Sequence, residues 1–226
     1  MIYAPEGLDE GIAALAAEPV FQAILERAGP PRFRRRNNGF ATLLHIILEQ
    51  QVSIDAAAAM HRRLSDLCRP LAPEPFLALD DDTLKRCGFS RQKTGYARGL
   101  AERVADGSLD FAALAAASDD DARATLVSLK GIGRWSAEIY LIFALGRPDV
   151  WPAGDLGLQF AVGECLGTDR VKEPVLREMG ERWQPWRTVA TCLFWQSYLH
   201  KRGRTAPALA PELYAAELPL TPALSP

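Results

Sequence analysis

Apolar side chains recur at helical intervals along almost the whole chain, and no run of alternating β-branched residues is long enough to build a sheet. The pattern predicts an all-α fold. Phe40, Leu43, Leu44, Ile47 and Leu48 are spaced by three and four residues, which lays them in one stripe on a helix ending near Gln50. Ser53 reads as an N-cap that opens a second helix through the alanine run 56–59, and Pro70, Pro73 and Pro75 end that helix and mark a loop. Further helices are predicted near 80–87, 90–106 and 119–129. The last opens at Ser118 and carries Asp119, Asp120 and Asp121 in its first turn, where the helix dipole favours negative charge. Residues 134–145, RWSAEIYLIFAL, are apolar on nearly every face past the first turn, the mark of a helix enclosed by others. Pro148 and Pro152 interrupt the chain before helices resume over 155–166, 173–183 and 185–200, with Pro185 suited to a first-turn position. From Thr205 onward proline and alanine dominate, which predicts a loosely held tail. There is no internal repeat.

Composition narrows the classes. With 48% apolar residues in 226, the chain can bury a substantial core. No stretch approaches the roughly 18 consecutive apolar residues of a membrane span. The start, MIYAPEGLDEG, lacks the basic and apolar regions of a secretory signal, so a cytoplasmic protein without membrane contact is expected. Cys68, Cys87, Cys165 and Cys192 lie far apart, with neither a CxxC pair nor metal-ligand spacing; they read as free, mostly buried thiols, and no metal site is expected. The formal charge of −2 weighs against nucleic acid as a partner. The balance is uneven, however: Arg32, Arg34, Arg35 and Arg36 cluster, and acid concentrates at Asp80, Asp81, Asp82 and again at 119–121. Such clusters read as solvated faces or helix starts, which leaves DNA binding open without supporting it.

Leu129-Lys130-Gly131-Ile132-Gly133 lies between two well-delimited helices, and its glycines permit a tight turn whose backbone approaches a ligand closely. Amides of Gly131, Gly133 and the following first turn, Ser136 included, would converge on one spot suited to a phosphate, with Lys130 beside phosphate or solvent. The competing reading is an ordinary turn between helices. Downstream, Asp155 follows Pro152-Ala153-Gly154 and opens a helix, so on residues alone it is an N-cap, and the positive end of a helix also suits an ionised aspartate. Asp149 reads as a local cap or an ion-pair partner.

The string LKGIGRWSAE resembles the hairpin signature of the helix-hairpin-helix DNA glycosylases, in which the two glycines are followed by an aspartate, here Asp155 in PDVWPAGDLGLQ. ILEQQVS at 47–53, GFSRQKTGYARGLA at 88–101 and RWQPWRTVATCLFW at 182–195 extend the resemblance over residues 39–199. Within the family the similarity is to the DNA-3-methyladenine glycosylase II group, although the chain has no room for the extra amino-terminal sheet domain that some members carry. The resemblance implies two helical subdomains with a DNA-binding cleft between them. Residues 38–150 would form the central one with the hairpin, residues 1–37 and 151–205 the second, and residues 206–226 the tail. It also implies a monomeric enzyme of base excision repair, acting on double-stranded DNA with damaged bases. The enzyme would hydrolyse the N-glycosidic bond of alkylated purines such as 3-methyladenine without cutting the strand.

The same resemblance distributes roles. Asp155 is the catalytic carboxylate, stabilising positive charge that develops on the sugar. Trp135 stands where strand-cutting members carry a Schiff-base lysine, so lyase chemistry is expected to be missing. The four cysteines of an iron-sulfur cluster are likewise lacking. An everted base needs a pocket of rings, for which Trp135, Tyr140 and Trp195 are the candidates, with plain core packing the alternative for each. Trp183 and Trp186 read as core, and Glu138 as polar lining or an exposed helix position. Gln51 is the candidate wedge filling the gap in the duplex, or else a surface residue at a helix end. Lys130, Gly131, Gly133 and Ser136 would meet the DNA backbone. No cofactor is required, and a cation on the hairpin carbonyls stays open. Two other readings remain: excision of uracil, hypoxanthine or a mismatched base, which needs hydrogen bonding tailored to a neutral base, and a non-catalytic DNA-binding protein in which Asp155 is only a cap.

Overall fold

The computed structural model describes residues 7–31, 34–205 and 213–214, and among them there are helices and no strand. The chain begins with α1 (Leu8–Leu15) and α2 (Pro19–Ala28), then runs through α3 (Phe40–Glu49), α4 (Ile54–Leu67), α5 (Pro73–Leu77), α6 (Asp81–Cys87) and α7 (Arg91–Ala105). It continues through α8 (Phe111–Ala116), α9 (Asp119–Val127), α10 (Arg134–Tyr140), α11 (Leu156–Cys165), α12 (Glu173–Gly180) and α13 (Arg187–Lys201). None of these is long and apolar enough to cross a membrane.

The helix starts follow from side-chain caps that the sequence displays. Ser53 accepts the N–H of Ala56, Asp80 that of Thr83, Ser90 that of Lys93 and Ser118 that of Asp121. Each such cap contributes about 1 kcal/mol by satisfying an N–H that the helix leaves free. Elsewhere the structure departs from expectation. Pro73 and Pro75 do not mark a loop but open the short α5, because a proline at the first helical position lacks only an N–H that had no partner there. Pro185 lies outside α13, whose first residue is Arg187, and α9 ends at Val127 rather than 129. The helix expected over 134–145 changes character midway: after α10 the segment Leu141–Leu145 is π-helical and closes at Gly146, where φ is 69°. α3 is buried on every side, including Thr42, His45 and Ile46, and not on one stripe only.

Two hydrophobic cores result. The larger joins α3 to α10 and the π-helical turn, with Leu43, Leu44, Ile47, Leu64, Phe76, Leu84, Leu126 and Leu141 fully or nearly fully enclosed. The smaller joins α1, α2, α11 and α13 around Phe21, Trp151, Trp183 and Phe194, whose rings meet edge-on or tilted at 5.0–6.3 Å. Burial of each such side chain stabilises by about 1.5–3 kcal/mol. Trp195 packs against both cores, which places it at their seam.

The segment between the cores is fastened to α13. Arg187 holds Asp149 with Nε and Nη2 at 2.8 and 2.9 Å, and the Thr188 hydroxyl donates to Arg147 O and accepts from Val150 N–H. Asp149 is thus an ion-pair partner. The arginine cluster is a solvated face only in part: Arg34 is exposed, whereas Arg35 and Arg36 turn inward. Arg35 donates to the carbonyls of Ala144 and Leu145 at the end of the π-helical turn, and Arg36 makes a two-pronged pair with Glu49 that is about nine-tenths buried. Arg32 lies outside the described residues, as does most of 206–226. The two tail residues that are described are packed rather than loose: Leu213 is fully buried and accepts the N–H of Asn37, and the Arg34 guanidinium lies 3.6 Å from the centre of the Tyr214 ring.

Candidate active site

Asp155 is the N-cap of α11, and its carboxylate ties three elements together. Oδ1 accepts the N–H of Leu158 at 2.6 Å and the indole N–H of Trp195 at 3.0 Å, while Oδ2 accepts the indole N–H of Trp135 at 2.8 Å. A carboxylate oxygen has two lone-pair directions. Among the described residues Oδ1 therefore has both engaged, and Oδ2 retains one. Asp155, Trp135 and Trp195 are all half-buried, so the carboxylate is partly accessible rather than enclosed in a core.

Trp135 comes from the first turn of α10 and Trp195 from the middle of α13, so each tryptophan brings its own side of the seam to the acid. A third ring joins them. Phe143, half-buried on the π-helical turn, lies parallel to Trp195 with centroids 5.9 Å apart and planes 9° from each other. The Arg36 guanidinium is 4.8 Å from the Phe143 centroid. Tyr140 does not join the set. It has no exposed surface, donates its hydroxyl to Asn38 Oδ1 at 2.6 Å, and stacks on Phe111; burial raises its phenol well above the ordinary range. An enclosed ring cannot meet an incoming base, so the pocket expectation for Tyr140 gives way to core packing. Trp183 is core as expected, and Trp186 is half-buried against α1 at Gly7 and Gly11.

The hairpin that precedes α10 needs its first glycine twice over. Gly131 has φ of +91°, and a Cβ there would fall 2.2 Å from Cγ of Tyr96. Gly133 is the exposed N-cap of α10, with open space where a Cβ would stand, so an incoming phosphate can approach its backbone. The first-turn amides of Arg134, Trp135 and Ser136 have no acceptor within the helix, as at any helix start. Lys130 is exposed. The Ser136 side chain is 2% exposed and its hydroxyl accepts from Gln50, so only its amide can serve a ligand. Glu138 is neither pocket lining nor exposed. It is buried and pairs with Arg134 Nε at 2.8 Å; burial pushes its carboxyl upward, against the opposing pull of Arg134.

Gln51 projects from the loop between α3 and α4, exposed, and is the one non-glycine residue at positive φ (57°) among the described residues. Such backbone stores on the order of 1–3 kcal/mol of strain and persists only where its surroundings hold it. Two contacts do so. Gln50 Nε2 donates to Gly131 O at 2.8 Å, and Lys93 Nζ donates to Leu48 O at 2.6 Å, capping the end of α3; burial lowers the Lys93 amine. Sequence reasoning did not single out Gln50, Lys93 or Phe143. The first two lie within the segments 47–53 and 88–101 whose pattern was recognised, whereas the facing of Phe143 depends on a π-helical turn that periodicity does not reveal.

Comparison with known proteins agrees with the all-helical fold. The model of the HhH-GPD superfamily of base excision DNA repair proteins matches residues 44–185. A Mycobacterium tuberculosis protein, named "Probable bifunctional transcriptional activator/DNA repair enzyme AlkA", is 32% identical over 209 residues, covering 87% of this chain and 40% of its own. The chain spans about half the length of such curated relatives. A crystal structure of DNA-3-methyladenine glycosidase from Bacillus halodurans superposes with a TM-score of 0.72 at 32% identity, covering 88% of this chain and 92% of that one. The Schizosaccharomyces pombe 3-methyladenine DNA glycosylase, in complex with abasic DNA, shares the fold with a TM-score of 0.78 at 24% identity, covering 83% and 95%. The chain belongs to the HhH-GPD superfamily of base excision DNA repair proteins.

Proposed function

We propose that the protein is a monofunctional DNA glycosylase that releases alkylated purines such as 3-methyladenine by hydrolysis, with Asp155 as the catalytic carboxylate. The observation that carries this reading is the Asp155 carboxylate held between two half-buried indoles, with one lone-pair direction of Oδ2 that no described residue occupies. The two cores read as two subdomains with the DNA cleft at their seam, and the enzyme acts as a monomer on double-stranded DNA. Gly131, Gly133 and the first turn of α10 grip a phosphate, Lys130 adds positive charge, and Gln51 fills the place of the everted nucleotide. The base enters among Trp135, Trp195 and Phe143. As the glycosidic bond lengthens, positive charge grows on the sugar, and the fixed carboxylate lowers the barrier electrostatically while water completes the hydrolysis.

Lesion chemistry follows from what the pocket offers. Both indole N–H groups are committed to Asp155, which leaves ring faces to meet the base. Ring faces attract a cationic alkylpurine by roughly 0.5–2 kcal/mol per ring. A cationic base also leaves without protonation, so no general acid is needed. Excision of uracil, hypoxanthine or mismatched bases would need donors and acceptors aimed at a neutral edge. Strand cutting would need an amine near the sugar, where Trp135 stands instead. The reaction in this reading requires no cofactor. Gly131 O already accepts from Gln50, and Leu129 O from Ile132 N–H, so a cation on the hairpin carbonyls would have to share them, and no step depends on one.

Incubation with methylated duplex DNA tests the reading: free 3-methyladenine should be released with the strand left intact. Asp155→Asn should retain affinity for abasic DNA and lose excision. Absence of free base from the wild-type protein, or full activity in Asp155→Asn, overturns it.

A further inference from the structure

Gly157 is the second residue of α11, two positions after Asp155. Glycine weakens a helix relative to alanine because it has more backbone freedom to lose. Nothing in the backbone calls for it here, since Gly157 does not adopt positive φ. What it supplies is room. A Cβ at this position would lie 3.1 Å from Asp155 Oδ1, and 3.8 and 4.0 Å from Nε1 and Cδ1 of Trp195. The missing side chain is therefore a notch walled by the carboxylate and the edge of the indole. Gly95 and Gly99 in α7 differ, because a Cβ on either meets nothing within 4 Å.

We propose that Gly157 is a positioning residue for base excision: its lack of a side chain leaves the Asp155 carboxylate seated with Oδ1 on Leu158 and Trp195, so that the open side of Oδ2 faces the sugar. The inference rests on the reading of Asp155 as the catalytic carboxylate. A methyl group at 157 would press on an oxygen already held by two donors, and contact at 3.1 Å is relieved only when the neighbour gives by a few tenths of an ångström. The carboxylate would relieve it by turning, and turning moves Oδ2 away from Trp135 and from the place it must hold. Misplacement of a reacting group by about 1 Å costs on the order of 100-fold in rate, so a shift of this size corresponds to about tenfold. Substrate binding through the hairpin is untouched.

The test compares wild type, Gly157→Ala, Gly99→Ala and Asp155→Asn. Thermal midpoint, affinity for abasic-site DNA, and KM and single-turnover rate on methylated duplex are measured for each. Gly157→Ala is expected to keep or raise the midpoint, keep abasic-DNA affinity and KM, and lose about tenfold in excision rate. Gly99→Ala should keep full activity. A wild-type rate in Gly157→Ala overturns the proposal, as does a joint fall of midpoint and rate, which would make the glycine a packing residue. If Asp155→Asn remains active, the reading of the carboxylate fails. If Asp155→Asn is inactive and Gly157→Ala is unimpaired, only the notch fails.

Discussion

Trp195 and Tyr140 were alike as candidate pocket rings and differ entirely in what surrounds them. Trp195 gives its indole N–H to Asp155 Oδ1, whereas Tyr140 gives its hydroxyl to Asn38 inside the larger core. Removing a donor to a charged acceptor costs about 1.5–3 kcal/mol, and removing a neutral hydrogen bond about 1 kcal/mol. Trp195→Phe should therefore slow excision by about tenfold or more while the protein stays folded. Tyr140→Phe should lower stability by about 1 kcal/mol and leave excision intact. Rate and thermal unfolding measured together on both variants decide the assignment, and slow excision in a stable Tyr140→Phe would return that ring to the pocket. Gly131 makes a second case at this scale. Gly131→Ala must place a Cβ at positive φ and against the Tyr96 ring, so a loss of about 1–3 kcal/mol in stability is expected, together with weaker DNA binding. Unchanged unfolding and DNA titration would show that the hairpin relaxes around the methyl group.

Elements act here through their ends. The hairpin and the loop that carries Gln51 belong to different helix pairs, and the Gln50 side chain joins them by bonding Gly131 O and the Ser136 hydroxyl. In the proposed reading, grip on the strand and insertion into the gap then act as one rigid unit. Gln50→Ala should loosen the loop without disturbing Asp155. The loss of excision is expected on methylated duplex, where a base must be everted and its place filled, and not on methylated single strands, where no stack is broken. Equal loss on both substrates would count against this role. The π-helical turn is a second end effect. It redirects the chain after α10 so that Phe143 lies parallel to Trp195, and the Arg35 guanidinium closes the turn by binding its last carbonyls.

At the scale of the whole molecule, Arg36 bridges regions distant in sequence. It pairs with Glu49 at the end of α3 and lies over Phe143, and its backbone N–H donates to Phe143 O. Burial alone would raise the Glu49 carboxyl, but Arg36 and His45 outweigh it and bring it down from 4.5 to about 2. A carboxylate whose folded value is depressed adds stability that is fully present above its unfolded value and lost as pH falls through its folded value. Stability should therefore drop between about pH 4.5 and pH 2, by about 3 kcal/mol from this group. Glu49→Gln should be less stable at neutral pH, because it leaves Arg36 buried without its counter-charge, and should lose that part of the acid slope. Chemical unfolding across pH for both proteins measures it, and parallel slopes would refute the coupling.

The amino-acid sequence by itself determined the all-helical fold, most helix starts, the hairpin and the helix-opening position of Asp155. These are local: periodicity, caps and glycine conformations act within a few residues, so they are written in order along the chain. Tertiary structure alone decided which rings reach the acid, that Tyr140 is sealed while Phe143 is only half-buried, that Arg35 and Arg36 turn inward, and that Gln50 and Lys93 hold the loop of Gln51. Trp135 and Trp195 are 60 positions apart in the chain, and their meeting at one carboxylate depends on how two cores close on each other. A helical pattern shows which side chains share a face; it does not show what the face will meet.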